Sequence, residues 1–142
     1  MVQLRPPAWD RRAGLILGLL ALAACSAETA PAADCFTGKG MPVSVRDPAT
    51  TPSFVWTAGC PAWHLSVGYT EGSSFIGVWE FHTPAATNDI QSPVVYGTVP
   101  GGVDVTTPAA PLVAGRTYKV EISNWDSGQG GAGYLGLAWF TH

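Results

Sequence analysis

Charge is scarce in this chain of 142 residues: Asp, Glu, Lys and Arg make up 12%, about half the usual share. Only 7 side chains are basic, and three of them, Arg5, Arg11 and Arg12, fall in the first dozen residues. So thin a supply of cations excludes a nucleic-acid-binding domain. Low charge beside 46% hydrophobic residues equally excludes a disordered acidic tail. The 3 cysteines are too few for a disulfide-dense miniprotein. The longest apolar run, Ala13–Ala24, would reach about 18 Å as a helix, short of a hydrocarbon core of roughly 30 Å. Beyond residue 25 no stretch sustains a helical period, which excludes a coiled coil. What is plentiful is the punctuation of short elements, 17 Gly and 12 Pro, together with 6 Trp. The length suits one domain.

Three arginines followed by the short run Ala13–Ala24 describe an export leader rather than part of a fold. Its end, Leu22-Ala23-Ala24-Cys25, resembles the lipobox of bacterial lipoproteins. The resemblance implies cleavage before Cys25, acylation of that residue and membrane attachment through it. Stable anchoring takes more than one acyl chain, because one binds only marginally. An ordinary secretory leader cut near Ala24, with Cys25 left as a thiol, is the competing reading. Ser26, where inner-membrane lipoproteins often carry Asp, implies the outer membrane of the cell envelope. The expected organisation is a signal peptide over 1–24, an anchor and tether over 25–34, and a domain over 35–142. Removing Asp10 and the three arginines leaves 9 acidic and 4 basic side chains. Such a surface repels anionic lipid headgroups, so membrane affinity falls to the anchor.

With Cys25 acylated, Cys35 and Cys60 remain in an oxidising compartment, and an even remainder there argues for one disulfide. Closing that loop is worth roughly 3–4 kcal/mol. A metal site is the functional competitor, but no CxxC or HxxxH spacing accompanies the pair.

Along the domain, β-branched and aromatic runs alternate with Gly/Pro clusters. Strands are expected near 41–46, 53–57, 62–69, 75–82, 93–99, 103–107, 117–124 and 134–141. Eight strands in about a hundred residues predict two packed sheets, since a single sheet would leave an apolar face wet. Parity puts Trp63, Leu65, Val67 and Tyr69 on one face and Phe75, Gly77, Trp79 and Phe81 on the matching face of the next strand. A turn over Thr70–Ser74 makes these faces coincide, pairing Leu65 with Trp79 and setting His64 opposite Glu80. Tyr118, Val120 and Ile122 form a further inward set. For the last strand, Leu135, Leu137 and Trp139 are favoured over Tyr134, Ala138 and Phe140 as its core face.

The stretch Leu112-Val113-Ala114-Gly115-Arg116-Thr117-Tyr118, followed by Val120 and Ile122, resembles the tyrosine corner of fibronectin type III and other immunoglobulin-like domains. That implies an immunoglobulin/fibronectin-III-like sandwich of seven to eight strands, with the Tyr118 hydroxyl bonded to upstream backbone. Trp56 would be the core tryptophan of an early strand. Trp79, Val94-Val95-Tyr96-Gly97, Pro100, Gly102 and Leu112…Gly115…Tyr118 are also similar to a pattern in short uncharacterised bacterial lipoproteins, which implies no known activity.

Chemistry is harder to find. No GxSxG elbow and no phosphate-cradling glycine spacing occurs, and no enzyme or cofactor is expected. His64, Glu80 and His82 could share one strip as a two-His, one-carboxylate metal set; cross-strand decoration of a sheet face is the plainer reading. Trp125, flanked by Asn124 and Asp126, is the candidate ligand contact, since an exposed ring offers rigid apolar area. The expected function is a lipid-anchored, non-enzymatic structural or protein-interaction module. The alternative is a carbohydrate-binding module, which a contiguous exposed strip of two or more aromatics would favour.

Overall fold

The computed structural model describes Cys35, residues 40–126 and residues 130–142, apart from the side chain of Tyr134. The expected leader, Cys25 and the tether to Asp34 lie outside the described residues. The architecture is all-β. The strands are β1 (Ser44–Arg46), β2 (Ser53–Val55), β3 (His64–Glu71), β4 (Ser74–His82), β5 (Val94–Val95), β6 (Asp104–Thr107), β7 (Thr117–Asp126) and β8 (Gly131–Thr141). They form a three-stranded sheet, β1-β2-β5, and a five-stranded sheet, β6-β4-β3-β7-β8. Every paired neighbour is antiparallel. In immunoglobulin lettering these are A-B-E against C′-C-F-G, with β6 added outside C′. Among the described residues no helix is long and apolar enough to cross a membrane.

The sheets face each other across an aromatic core. Phe54 of β2, fully buried, meets Trp79 of β4 at 6.5 Å and Phe140 of β8 at 5.7 Å between ring centroids. Leu65, Val67, Phe81, Tyr118, Val120 and Ile122 complete the large sheet's inner face. Burying aromatic and branched side chains is the main stabilising term of so small a domain. The disulfide Cys35–Cys60 is formed, with Cys60 in the β2–β3 connection. Trp56 is buried there and donates its indole N–H to the Cys60 carbonyl at 2.7 Å. The tyrosine corner is present as well: the Val113 N–H donates to the Tyr118 hydroxyl at 2.8 Å, and Tyr118 is 1% exposed.

Two bulges alter the expected faces. In β3–β4 the hairpin closes on Gly72-Ser73 alone, so Thr70 rather than Tyr69 pairs with Phe75. A register shift then falls between Val67 and Gly68, beyond which Val67 pairs with Trp79 and Leu65 with Phe81. One extra residue reverses parity. Trp79 and Phe81 therefore stay inward while Phe75, 43% exposed, turns out. In β7–β8 a shift between Ile122 and Ser123 leaves Leu135 without a partner. Leu135 is buried, but from Gly136 onward the inward set is Gly136, Ala138 and Phe140. The expected core residues Leu137 and Trp139 point outward instead, at 38% and 55% exposure.

Candidate functional site

The consequence of both bulges is an outer sheet face that gains Phe75 and Trp139. Along β7 the buried residues Tyr118, Val120, Ile122 and Asn124 alternate with Lys119, Glu121, Ser123 and Trp125, so the second set faces away from the core. Trp139 lies directly across from Lys119, and Leu137 from Glu121. On the other side of β7, Lys119 pairs with Gly68, Glu121 with Ser66 and Ser123 with His64. The Phe75 ring lies over Gly68, in the space a β-carbon there would need, and Lys119 Nζ sits 4.7 Å from its centroid. Phe75, Lys119 and Trp139 thus make a row across one end of the face.

The opposite end carries a second cluster. Trp63, expected in the core, is half-buried at the foot of β3. Its ring stacks on His82 at 5.5 Å with 8° between planes and meets Trp125 edge-on at 5.3 Å. The Trp63 backbone still joins the ladder, its N–H donating to the Ser123 carbonyl and its carbonyl accepting from the Thr83 N–H, but just before β3 the ring turns onto the outer face. The backbone of Trp125 is held by one side chain: Asn88 Oδ1 accepts from its N–H at 2.7 Å, and Asn88 Nδ2 donates to its carbonyl at 3.0 Å. Asn88 thereby takes the part of a neighbouring strand where β3 has not yet begun.

Between the clusters the polar groups hold one another. His64 Nε2 lies 2.9 Å from Glu80 Oε1, and Lys119 Nζ lies 2.8 Å from Glu121 Oε2. His64 pairs with His82 and Ser66 with Glu80, so the expected His64–Glu80 contact exists as a diagonal rather than a direct cross-strand pair. His82 does not join it; its Nδ1 lies 3.2 Å from the Thr83 carbonyl and its ring is on Trp63. Among the described residues no three His, Cys, Asp or Glu side chains are placed to hold one ion.

Of the candidate ligand contacts, Trp125 is half-buried on the outer face. Asn124 is 4% exposed and faces inward with its amide against Gly133, so it is unavailable to a ligand. Asp126 ends β7 opposite Gly131, half-buried. Trp139, Phe75 and Trp63 were not singled out by the sequence reasoning. A signal existed for the first two: Gly77 and Gly136 sit beside the bulges, and a glycine inside a strand pattern often marks one. Comparison with protein-family models, with curated proteins and with solved structures yields no match to this chain.

Proposed function

We propose that the chain is a lipid-anchored, non-enzymatic binding module of the bacterial cell envelope, attached to the outer membrane through Cys25. Its working surface is the outer face of the five-stranded sheet. The observation that carries the binding role is the two groups of rings on that face, Phe75 and Trp139 exposed on either side of Lys119 at one end and the half-buried Trp63 and Trp125 in edge contact at the other. Large exposed apolar side chains grouped on one surface mark contact sites. Binding rather than catalysis fits the titratable groups, since His64 is engaged with Glu80 and Lys119 with Glu121. The anchor rests on Leu22-Ala23-Ala24-Cys25 at the end of an apolar run too short to span.

Fractionation tests the anchor. The native chain is expected in the detergent-extractable membrane fraction with a mass raised by acyl chains, and Cys25→Ser is expected in the aqueous fraction. A Cys25→Ser chain that still sediments with membranes refutes the lipid attachment.

A further inference from the structure

We infer that this face binds an extended, neutral polysaccharide chain, laid along β7 from the Trp139 end to the Trp125 end. The inference rests on the outer face being the working surface and names its ligand. Three observations lead to it.

The first is the distribution of polarity. A protein-binding patch has its apolar anchors at the centre and its charges at the rim. Here the rings lie at the two ends, and Glu80, Ser66, Glu121 and His64 occupy the middle with Leu137 as its one large apolar side chain. A chain of sugar rings suits that arrangement, because each ring presents C–H groups to apolar side chains and hydroxyls to polar ones.

Charge supplies the second observation. Lys119 is matched by Glu121 at 2.8 Å, while Glu80, in contact with His64 at 2.9 Å, and the exposed Asp104 opposite His82 leave the face with more carboxylates than cations. That surplus repels an anionic ligand, and each group retains lone pairs or protons for hydroxyl hydrogen bonds. Complementarity therefore points away from an anionic ligand and toward a hydroxyl-rich one, whose donors the carboxylates can accept.

The third is dimension. Lys119, beside Trp139, and Trp125 stand six residues apart on one strand, about 20 Å at the rise of an extended chain. No monosaccharide or disaccharide touches both clusters, whereas a hexasaccharide does.

The test uses the full-length chain, extracted from membranes in a detergent without a sugar headgroup and titrated calorimetrically. The probes are neutral hexasaccharides, namely β-1,4-glucan, α-1,4-glucan, β-1,3-glucan and β-1,4-linked N-acetylglucosamine. At least one is expected to bind saturably, with a Kd little changed between about 50 and about 500 mM salt because no net charge is neutralised. The matching disaccharide should bind at least roughly tenfold more weakly, for want of the second cluster. Trp139→Ala, at a position 55% exposed and so harmless to the fold, should weaken the hexasaccharide about tenfold, and Trp125→Ala at the other end likewise. Val99→Ala, exposed but off this face, should bind as the native chain does.

Absence of binding by all four hexasaccharides at millimolar concentration overturns the inference, as does binding indifferent to both tryptophan substitutions. Capture by this face of a protein partner, with no hexasaccharide bound, overturns it as well. None of these outcomes depends on Cys25, so the ligand class and the membrane anchor stand or fall separately.

Discussion

Gly68 gives the sharpest test of how the outer face is built. A β-carbon at this position would overlap the Phe75 ring and the backbone carbonyl of Ile76 on the neighbouring strand. The two obstacles differ in kind. The ring is 43% exposed and can swing away, but the carbonyl belongs to the paired backbone of β4 and moves only with the strand. Inserting one methyl group into such a contact costs about 1–3 kcal/mol. Against that, Ala at an extended position removes unfolded-chain freedom and recovers about 0.4–1 kcal/mol. Gly68→Ala should therefore destabilise by about 1–2 kcal/mol net, a fall in Tm of roughly 5–15 °C for a domain of this size. Thermal and urea melts of the native and variant chains measure it. Gly68→Ala combined with Phe75→Ala should recover only part of the loss, because the Ile76 carbonyl stays in place. A variant as stable as the native chain would refute the close approach of the strands at Gly68. Full recovery in the double variant would show that the ring alone, not the paired backbone, fixes that position.

Two further outcomes follow from the fold. Replacing Cys35 and Cys60 together by Ser releases a loop with a sequence separation of 25. By loop-closure entropy this should cost about 3.5 kcal/mol, read as a lower urea midpoint relative to the native chain. The Tyr96 phenol donates to the Ala110 carbonyl at 2.6 Å. Burial, assisted by the nearby Tyr118, pushes its pKa from 10.0 up to about 12. The folded state then keeps a proton that the unfolded chain loses above pH 10, so this contribution to stability is intact below pH 10 and declines as pH rises toward about 12. Tyr96→Phe should flatten that decline, and the phenolate absorbance band titrating near pH 12 should vanish with it; a band that persists would assign the shift to another tyrosine.

How much of this was legible in the sequence follows from which interactions are local. Strand positions were, because turn residues bracket each run: all eight strands lie within or close to the expected stretches, with β3 shifted by two residues and the β7–β8 hairpin longer than expected at its turn end. The tyrosine corner was too, since Leu112, Gly115 and Tyr118 act within one short segment. Trp79, Tyr118, Val120 and Ile122 are buried as parity requires. What failed was parity carried across a bulge. An extra residue at Val78 and another at Leu135 each reverse every side chain beyond them, and nothing in a period-two pattern marks where the reversal falls.

Both misplacements fell on the same surface, and that is the informative part. A bulge costs ladder hydrogen bonds and would bring no benefit if it merely exchanged one buried hydrophobic set for another. At Val78 the cost is partly recovered, since the Val78 carbonyl accepts from the Ala110 N–H. The remaining effect of the two bulges is to expose Phe75 at one edge of a row and Trp139 at the other, with Lys119 between them. Without the β8 bulge, Trp139 would point into a core already filled by Phe54, Tyr118 and Phe140. The same irregularities that broke the period-two pattern are therefore what turn Phe75 and Trp139 into solvent.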